Sequence, residues 1–236
     1  MRCPGLVALV IALLGAGACG GDDAAGPLDA AATDAYVEVW ATYTIEPGDH
    51  DATVTGGGEG NPLRGFVEVG GRDYQFAFDA SAAYVLTSPT DPEDQLDWNK
   101  LPGLSDCETI DLAVDGAMFG WRWRVDLEPP VLEVTAYANA TGVHQWPAEP
   151  LFTLDAAELA AEVPIRYRVW PDGGAFHFQV SGMAGGRTIE ASTTLPRACP
   201  ATPATSFRWA AGLYFGGTST APARITGRIV EIPFAR

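Results

Sequence analysis

The chain has 236 residues, room for one large domain or two small ones, and 47% of them are apolar, enough to build a core and too many for wholesale disorder. Its 27 glycines and 18 prolines are too many turn-formers for a helical bundle. A net charge of −16 lacks the basic footprint that non-specific nucleic-acid binding needs, so no nucleic-acid partner is expected.

The first element in chain order is an export segment. Arg2 opens it, Leu6 to Leu14 form an apolar run, and Gly15-Ala16-Gly17-Ala18 lead to Cys19. That run is too short to cross a bilayer as a stable helix but suits the apolar region of a signal peptide. Small residues before a single Cys, followed by Gly20-Gly21-Asp22-Asp23, resemble a bacterial lipoprotein signal. The resemblance implies removal of residues 1–18 and lipidation of Cys19. It also implies a membrane partner reached through the N-terminal lipid, and a place in the bacterial cell envelope. The adjacent acids resemble sorting signals that send some lipoproteins to the surface, so the outer membrane or cell surface is the expected side. Ala16 stands where that pattern prefers Leu. Residues 19–34 are small and acidic and read as a flexible tether, leaving 35–236 as one domain.

Cysteine use agrees with export. Cys3 leaves with the signal and Cys19 takes lipid, so only Cys107 and Cys199 remain, with one possible connectivity. In an exported chain such a pair reads as a disulfide. Closing a loop of this length stabilises by roughly 4–5 kcal/mol in the chain-entropy account. No metal is expected, because His50, His144 and His177 are the only histidines and none has ligand spacing to a Cys or another His. No cofactor motif is present either.

The body reads as strands. Runs rich in β-branched and aromatic residues lie at 36–45, 64–69, 73–79, 83–87, 118–126, 131–138, 163–170, 175–181, 187–193, 207–216 and 223–233. Turn signals separate them, notably Asp172-Gly173-Gly174, which predicts a hairpin. One short helix is predicted over 155–162, capped by Asp155 and stopped by Pro164. The fold class is therefore all-β, a single-domain antiparallel β-sandwich.

Period two assigns faces. Phe119, Trp121, Trp123 and Val125 oppose Arg122, Arg124 and Asp126; Leu132, Val134 and Ala136 oppose Glu133, Thr135 and Tyr137. Ile165, Tyr167 and Val169 oppose Arg166, Arg168 and Trp170; Phe176, Phe178 and Val180 oppose His177, Gln179 and Ser181. If these four strands are neighbours, their polar faces join into one arginine-rich surface. Two readings stay open for it: a solvated face with Arg paired to acids, or a carbohydrate-binding concavity. Trp98 and Trp146 sit in polar loop segments, as sugar-stacking aromatics or as lids over a core end. The candidate ligand-binding set is Arg122, Arg124, Tyr137, Arg166, Arg168, His177, Gln179, Trp98 and Trp146.

Three blocks carry a further resemblance: Asp97-Trp98-Asn99-Lys100-Leu101 running to Ser105-Asp106-Cys107, then Phe119-Gly120-Trp121-Arg122-Trp123, then Leu213-Tyr214-Phe215-Gly216-Gly217 with Ala221-Pro222. Leu195-Pro196-Arg197-Ala198-Cys199 precedes the last. Together they resemble a group of uncharacterised exported bacterial proteins and lipoproteins. The resemblance implies a jelly-roll-like sandwich of the concanavalin/galectin kind and supports the Cys107–Cys199 pairing. It brings no activity and no functional residues.

Catalytic patterns are sparse. Gly217-Thr218-Ser219-Thr220-Ala221 is the nearest approach to a hydrolase elbow, and no helix pattern follows it. Tyr137, His177, Gln179 and Arg166 supply the residue types of a polysaccharide lyase. Asp49-His50-Asp51 and Asp91-Pro92-Glu93-Asp94 read as solvated acid clusters rather than calcium loops. The leading expectation is a lipid-anchored envelope protein that binds or scaffolds, with glycan as the candidate ligand and no catalytic residue assigned. A lyase or glycosidase, and a purely structural surface protein, are the alternatives.

Overall fold

Alternating apolar residues need a second layer to cover them, and here two sheets cover each other. The computed structural model describes residues 38–57, 65–203 and 206–235. The export segment, Cys19 and the tether lie outside the described residues.

Among the described residues fifteen strands follow in chain order. They are β1 (Ala41–Ile45), β2 (Thr53–Gly56), β3 (Gly65–Val69), β4 (Arg72–Phe78), β5 (Asn99–Lys100), β6 (Gly103–Ser105), β7 (Gly116–Arg124) and β8 (Val131–Ala140). Then come β9 (Val143–Gln145), β10 (Phe152–Leu154), β11 (Ile165–Asp172), β12 (Ala175–Ala184), β13 (Arg187–Pro196), β14 (Ser206–Ala211) and β15 (Ile225–Ile232). One sheet runs β13-β12-β11-β4-β15-β1-β2 and the other β10-β8-β7-β6-β14-β3, with β5 also on β7 and β9 on β8. All pairings between these strands are antiparallel. The chain is thus the antiparallel β-sandwich that the strand pattern predicts, jelly-roll-like as the block resemblance implies.

The period-two faces are borne out except at Val125, which lies past the end of β7 and is 39% exposed. Phe119, Trp121, Leu132, Val134, Tyr167, Val169, Phe176 and Phe178 are buried in one core between the sheets. The predicted hairpin forms, with Asp172 paired to Ala175 and Gly173 at φ +53°, a conformation glycine adopts without strain. The helix is α1 (Ala156–Ala160); Asp155 and Glu158 form a reciprocal capping box at its start.

Two predicted strands differ. Residues 83–87 are not a strand, because a side chain satisfies their backbone: Gln95 Oε1 accepts from Leu86 N at 2.7 Å and its Nε2 donates to Tyr84 O. Tyr84 points inward against Trp121 and Phe215, which explains the strand-like composition. The run 207–216 breaks after β14, and Tyr214 then makes only an isolated bridge to Lys100 and another to Asp51. Strands β2, β5, β6, β9 and β10 have two to four residues each and carry too little alternation to be read from sequence.

Cys107 and Cys199 are bonded, with their Cα atoms 5.4 Å apart. Beside the bond, Asp106 is buried and paired with Arg197 and Arg208, both also buried. Cys107 and Glu108 both lie at positive φ, which costs non-glycine residues on the order of 1–2 kcal/mol each. The disulfide and the Asp106 pairs hold that turn in place.

Candidate functional site

The four polar strand faces do not join. Strands β7 and β8 belong to one sheet and β11 and β12 to the other. Because the sheets meet through their apolar faces, Arg122, Arg124 and Tyr137 point away from one side of the sandwich. Arg166, Arg168, His177 and Gln179 point away from the opposite side. The condition for one arginine-rich surface, that the four strands be neighbours, is not met, and there are two surfaces.

The arginines on both sides are engaged. Arg166 makes two hydrogen bonds to Asp73, at 2.8 and 2.6 Å, and Arg168 adds a third contact at 3.0 Å. Asp73 is buried, so these guanidiniums neutralise it. Gln179 accepts from Arg168 at 3.4 Å, and His177 stacks on Trp170 with centroids 5.2 Å apart. On the other sheet Arg122 donates to Glu133 at 2.9 Å and to Leu96 O at 2.9 Å. Arg124 donates to Glu133 at 2.6 Å and to both carboxylate oxygens of Asp126 at 2.7 Å. This is cross-strand pairing with acids.

Tyr137, Trp98 and Trp146 do come together, and they do so at a cavity of about 560 Å³ on the outer face of the β7–β8 sheet. Asp97, Trp98 and Lys100 of the first sequence block and Tyr214 of the third line it. Lys100 pairs with Gly120 across β5–β7, and Lys100 and Tyr214 exchange backbone hydrogen bonds of 2.8 and 2.9 Å. Asn99 Oδ1 accepts from Gly216 N at 2.7 Å. Trp98 lies flat over Gly120, where a Cβ would come within 3.2 Å of its ring. A side chain at Gly216 would run into the Trp98 carbonyl. Gly120 and Gly216 are thus clearances for Trp98. With Met118 and Tyr137, Trp98 forms a small apolar cluster outside the main core.

The two tryptophans differ in exposure. Trp98 is folded down, 6% exposed, with the Arg122 guanidinium 4.0 Å above its ring. Trp146 is 48% exposed and stacks on Tyr137, centroids 5.7 Å apart and rings 8° from parallel. A second hollow of about 140 Å³ lies beyond them, lined by both tryptophans with Arg122, Arg124 and Glu133.

The cavity also holds polar groups that sequence reasoning left aside: Lys100, Asn139 and His144, with Asp51, Asp97 and Asp111 at its margins. Asn139 donates through Nδ2 to Leu112 O, which fixes its Oδ1 toward His144. His144 Nδ1 lies 2.6 Å from that oxygen and must donate to it. The neutral ring then carries its lone pair on Nε2, the tautomer of a general base. The Tyr137 ring lies 6.0 Å from the His144 ring. Burial, reinforced by the Asp97 charge, pushes the Tyr137 phenol up to about 12, so it stays protonated at neutral pH. Lys100 Nζ donates to Trp98 O at 2.5 Å and sits 5.0 Å from the Tyr137 ring centre. Burial lowers its pKa, and Asp97 opposes that.

The missed residues were partly visible. Asn139 continues the outward period-two set of Glu133, Thr135 and Tyr137, one residue past the predicted end of that strand. Lys100 stands inside the first block. His144 lies in β9, too short to show a pattern.

Elsewhere, Asp91 and Glu93 are exposed, as a solvated cluster requires, but Asp94 is not. Asp94 is buried and accepts from Thr218 N at 2.9 Å, Thr218 Oγ1 at 2.8 Å, Ser219 Oγ at 2.5 Å and Asp91 N at 3.1 Å. Burial alone would raise its pKa; these bonds outweigh it and hold the carboxyl below the usual range. Ser219 thus anchors a loop. Among the described residues no group of three or more His, Cys, Asp or Glu is placed to hold a metal ion.

No family model matches the chain, nor does any curated protein sequence. Solved structures similar to it include three alginate lyases. The Chlorella virus enzyme vAL-1 is 10% identical, covering 80% of this chain and 81% of its own, at a TM-score of 0.40. The Klebsiella pneumoniae enzyme is 14% identical, covering 67% and 57%, at 0.41. A mutant of alginate lyase Aly36B in complex with alginate tetrasaccharide is 11% identical, covering 83% and 82%, at 0.40. Scores this low carry nothing about the cavity, whose chemistry is read from its own residues.

Proposed function

We propose that the cavity binds a polysaccharide chain and cleaves it by β-elimination at a uronic-acid residue. The observation that carries this reading is the His144–Asn139 pair, which leaves Nε2 as the basic nitrogen beside a Tyr137 phenol held protonated. Aromatic faces suit pyranose rings, whose C–H faces are apolar and whose rims are hydroxylated. Trp146, half exposed at the mouth, is the side chain best placed for stacking. His144 takes the proton from C5 of the uronic residue, and that electron pair becomes the C4–C5 double bond. The C4–O4 bond breaks, and the Tyr137 hydroxyl protonates the departing oxygen. The imidazolium proton then returns to the phenolate, through water where the two groups do not meet. Lys100 supplies positive charge for the negative charge that develops on the carboxyl oxygen.

The test is to incubate the domain with a panel of polyuronides and follow the ultraviolet absorbance of the conjugated product. Depolymerisation with that absorbance is the expected result. New reducing ends without it would mean hydrolysis, and binding without either would mean a glycan-binding module.

Envelope anchoring is part of the same proposal, supported by the residues around Cys19. Cys19→Ser is expected to abolish lipidation and shift the protein out of the membrane fraction, read by fractionation and intact mass. A variant that fractionates like the wild type, with neither carrying lipid, would end this part of the reading.

A further inference from the structure

We propose that Tyr214, backed by His50, is a second platform for a sugar ring, so that the polysaccharide crosses the strands and occupies both sides of the bond that is cut. The proposal rests on the elimination reading for where that bond lies; the platform itself is a binding site.

Strand register puts Tyr214 there. Thr135 pairs with Gly120, and Gly120 with Lys100; on its other edge Lys100 exchanges backbone hydrogen bonds with Tyr214. Residues directly opposite one another share a face of a sheet, so Lys100 and Tyr214 face outward with Thr135. Three strand spacings, roughly 14 Å, separate β8 from Tyr214, which is wider than one pyranose ring. Trp146 follows β9 on the other side of β8 and stacks on Tyr137. Both Trp146 and Tyr214 line the cavity. Lys100, whose ammonium sits 5.0 Å from the Tyr137 ring centre, belongs to the strand between them.

The two aromatic side chains are built alike. Trp146 is half exposed and backed by a ring 8° from parallel. Tyr214 is 36% exposed and backed by the His50 ring, with centroids 5.4 Å apart and planes 13° from parallel. His50 is itself fixed: its carbonyl accepts from Phe215 N at 2.8 Å, and its Nδ1 lies 2.8 Å from Phe215 O. A carbonyl oxygen only accepts, so Nδ1 carries the proton and the ring cannot turn away without breaking that bond. Leu213 and Phe215 fill the main core on either side, so packing alone does not call for an aromatic residue at 214. A ring held in one orientation loses little conformational freedom when a ligand stacks on it. The apolar C–H face of a pyranose suits such a ring.

The experiment uses alginate and polygalacturonate, from disaccharides to long chains, with binding and unsaturated product measured separately. Affinity is expected to rise with chain length until both platforms are covered. Tyr214→Ala should weaken binding of long chains by about tenfold or more, whereas Tyr214→Phe, which keeps the ring, should stay within about threefold of wild type. Trp146→Ala should also weaken binding, and the two losses should add in the double variant, as for two sugars on two separate rings. Thermal unfolding checks each variant; Tyr214→Leu, which fills similar space without an aromatic face, replaces Tyr214→Ala if that variant is not folded. Long chains bound by the folded Ala or Leu variant as tightly as by wild type overturn the proposal. So does a loss in Tyr214→Phe equal to that in Tyr214→Ala, or no binding of any chain. Binding that depends on Tyr214 but yields no unsaturated product overturns the elimination reading instead, so the two failures are told apart.

Discussion

Asp106→Ala is expected to remove about 3–5 kcal/mol of folding stability, the cost typical of breaking a buried charge network on one side. Arg197 grips both carboxylate oxygens of Asp106, and Arg208 reaches it at 3.4 Å. The same guanidiniums hold the chain elsewhere. Arg197 donates to Gly173 O at 3.0 Å and Thr202 O at 2.7 Å; Arg208 donates to Pro203 O at 2.9 Å and Val69 O at 3.3 Å. Without the carboxylate, two buried positive charges lose their counter-ion, and burial already lowers the Arg208 pKa. Urea unfolding at pH 7 with the disulfide intact is the measurement, and the midpoint should fall with little change in slope. Asp106→Asn should recover little, since it restores an acceptor but no charge. The contrast is Arg224–Glu46, an exposed pair whose loss should cost no more than about 1 kcal/mol. If Asp106→Ala costs no more than that, the buried triad is not what holds the disulfide turn.

Much of this molecule was legible in its sequence because sandwiches obey a short rule. Alternation gave the inward set of β7, β8, β11 and β12 residue by residue, and Asp172-Gly173-Gly174 gave a hairpin in register. What alternation cannot give is which sheet a strand joins. Strands β8 and β11 look alike in composition, yet they lie in opposite sheets, and that choice separated Arg122 and Tyr137 from Arg166 and His177. The decision is made by strands far apart in sequence, such as β4 with β15 and β6 with β14.

The site was legible in pieces. The blocks around Trp98, Gly120 and Gly216 stood out, but their meaning is a matter of contact: glycines at 120 and 216 leave the space that Trp98 fills. The arginines drew attention by being scarce in an acidic chain, and they turned out to serve buried Asp73 and Glu133. The groups that could do chemistry were quieter. A lone His in a three-residue strand and an Asn at a strand end acquire meaning only through the 2.6 Å contact between them.

His144→Ala and Tyr137→Phe are each expected to lower turnover by about 10²–10⁴-fold, the range for removing a positioned acid or base, while leaving polysaccharide binding within a few-fold. His144 is exposed on β9, so its removal should change stability by no more than about 0.5 kcal/mol, which separates chemistry from folding. Asn139→Ala acts through His144: it frees the ring to turn and to take the other tautomer, so kcat should fall more than KM rises. It also leaves the Leu112 carbonyl without its partner, so its stability must be measured alongside. The pH profile gives an independent reading. The Tyr137 phenol, pushed up to about 12 by burial and by Asp97, should show no falling limb at neutral or mildly alkaline pH. If His144→Ala keeps more than about a tenth of wild-type turnover, then the base is another group and the His144–Asn139 pair is structural.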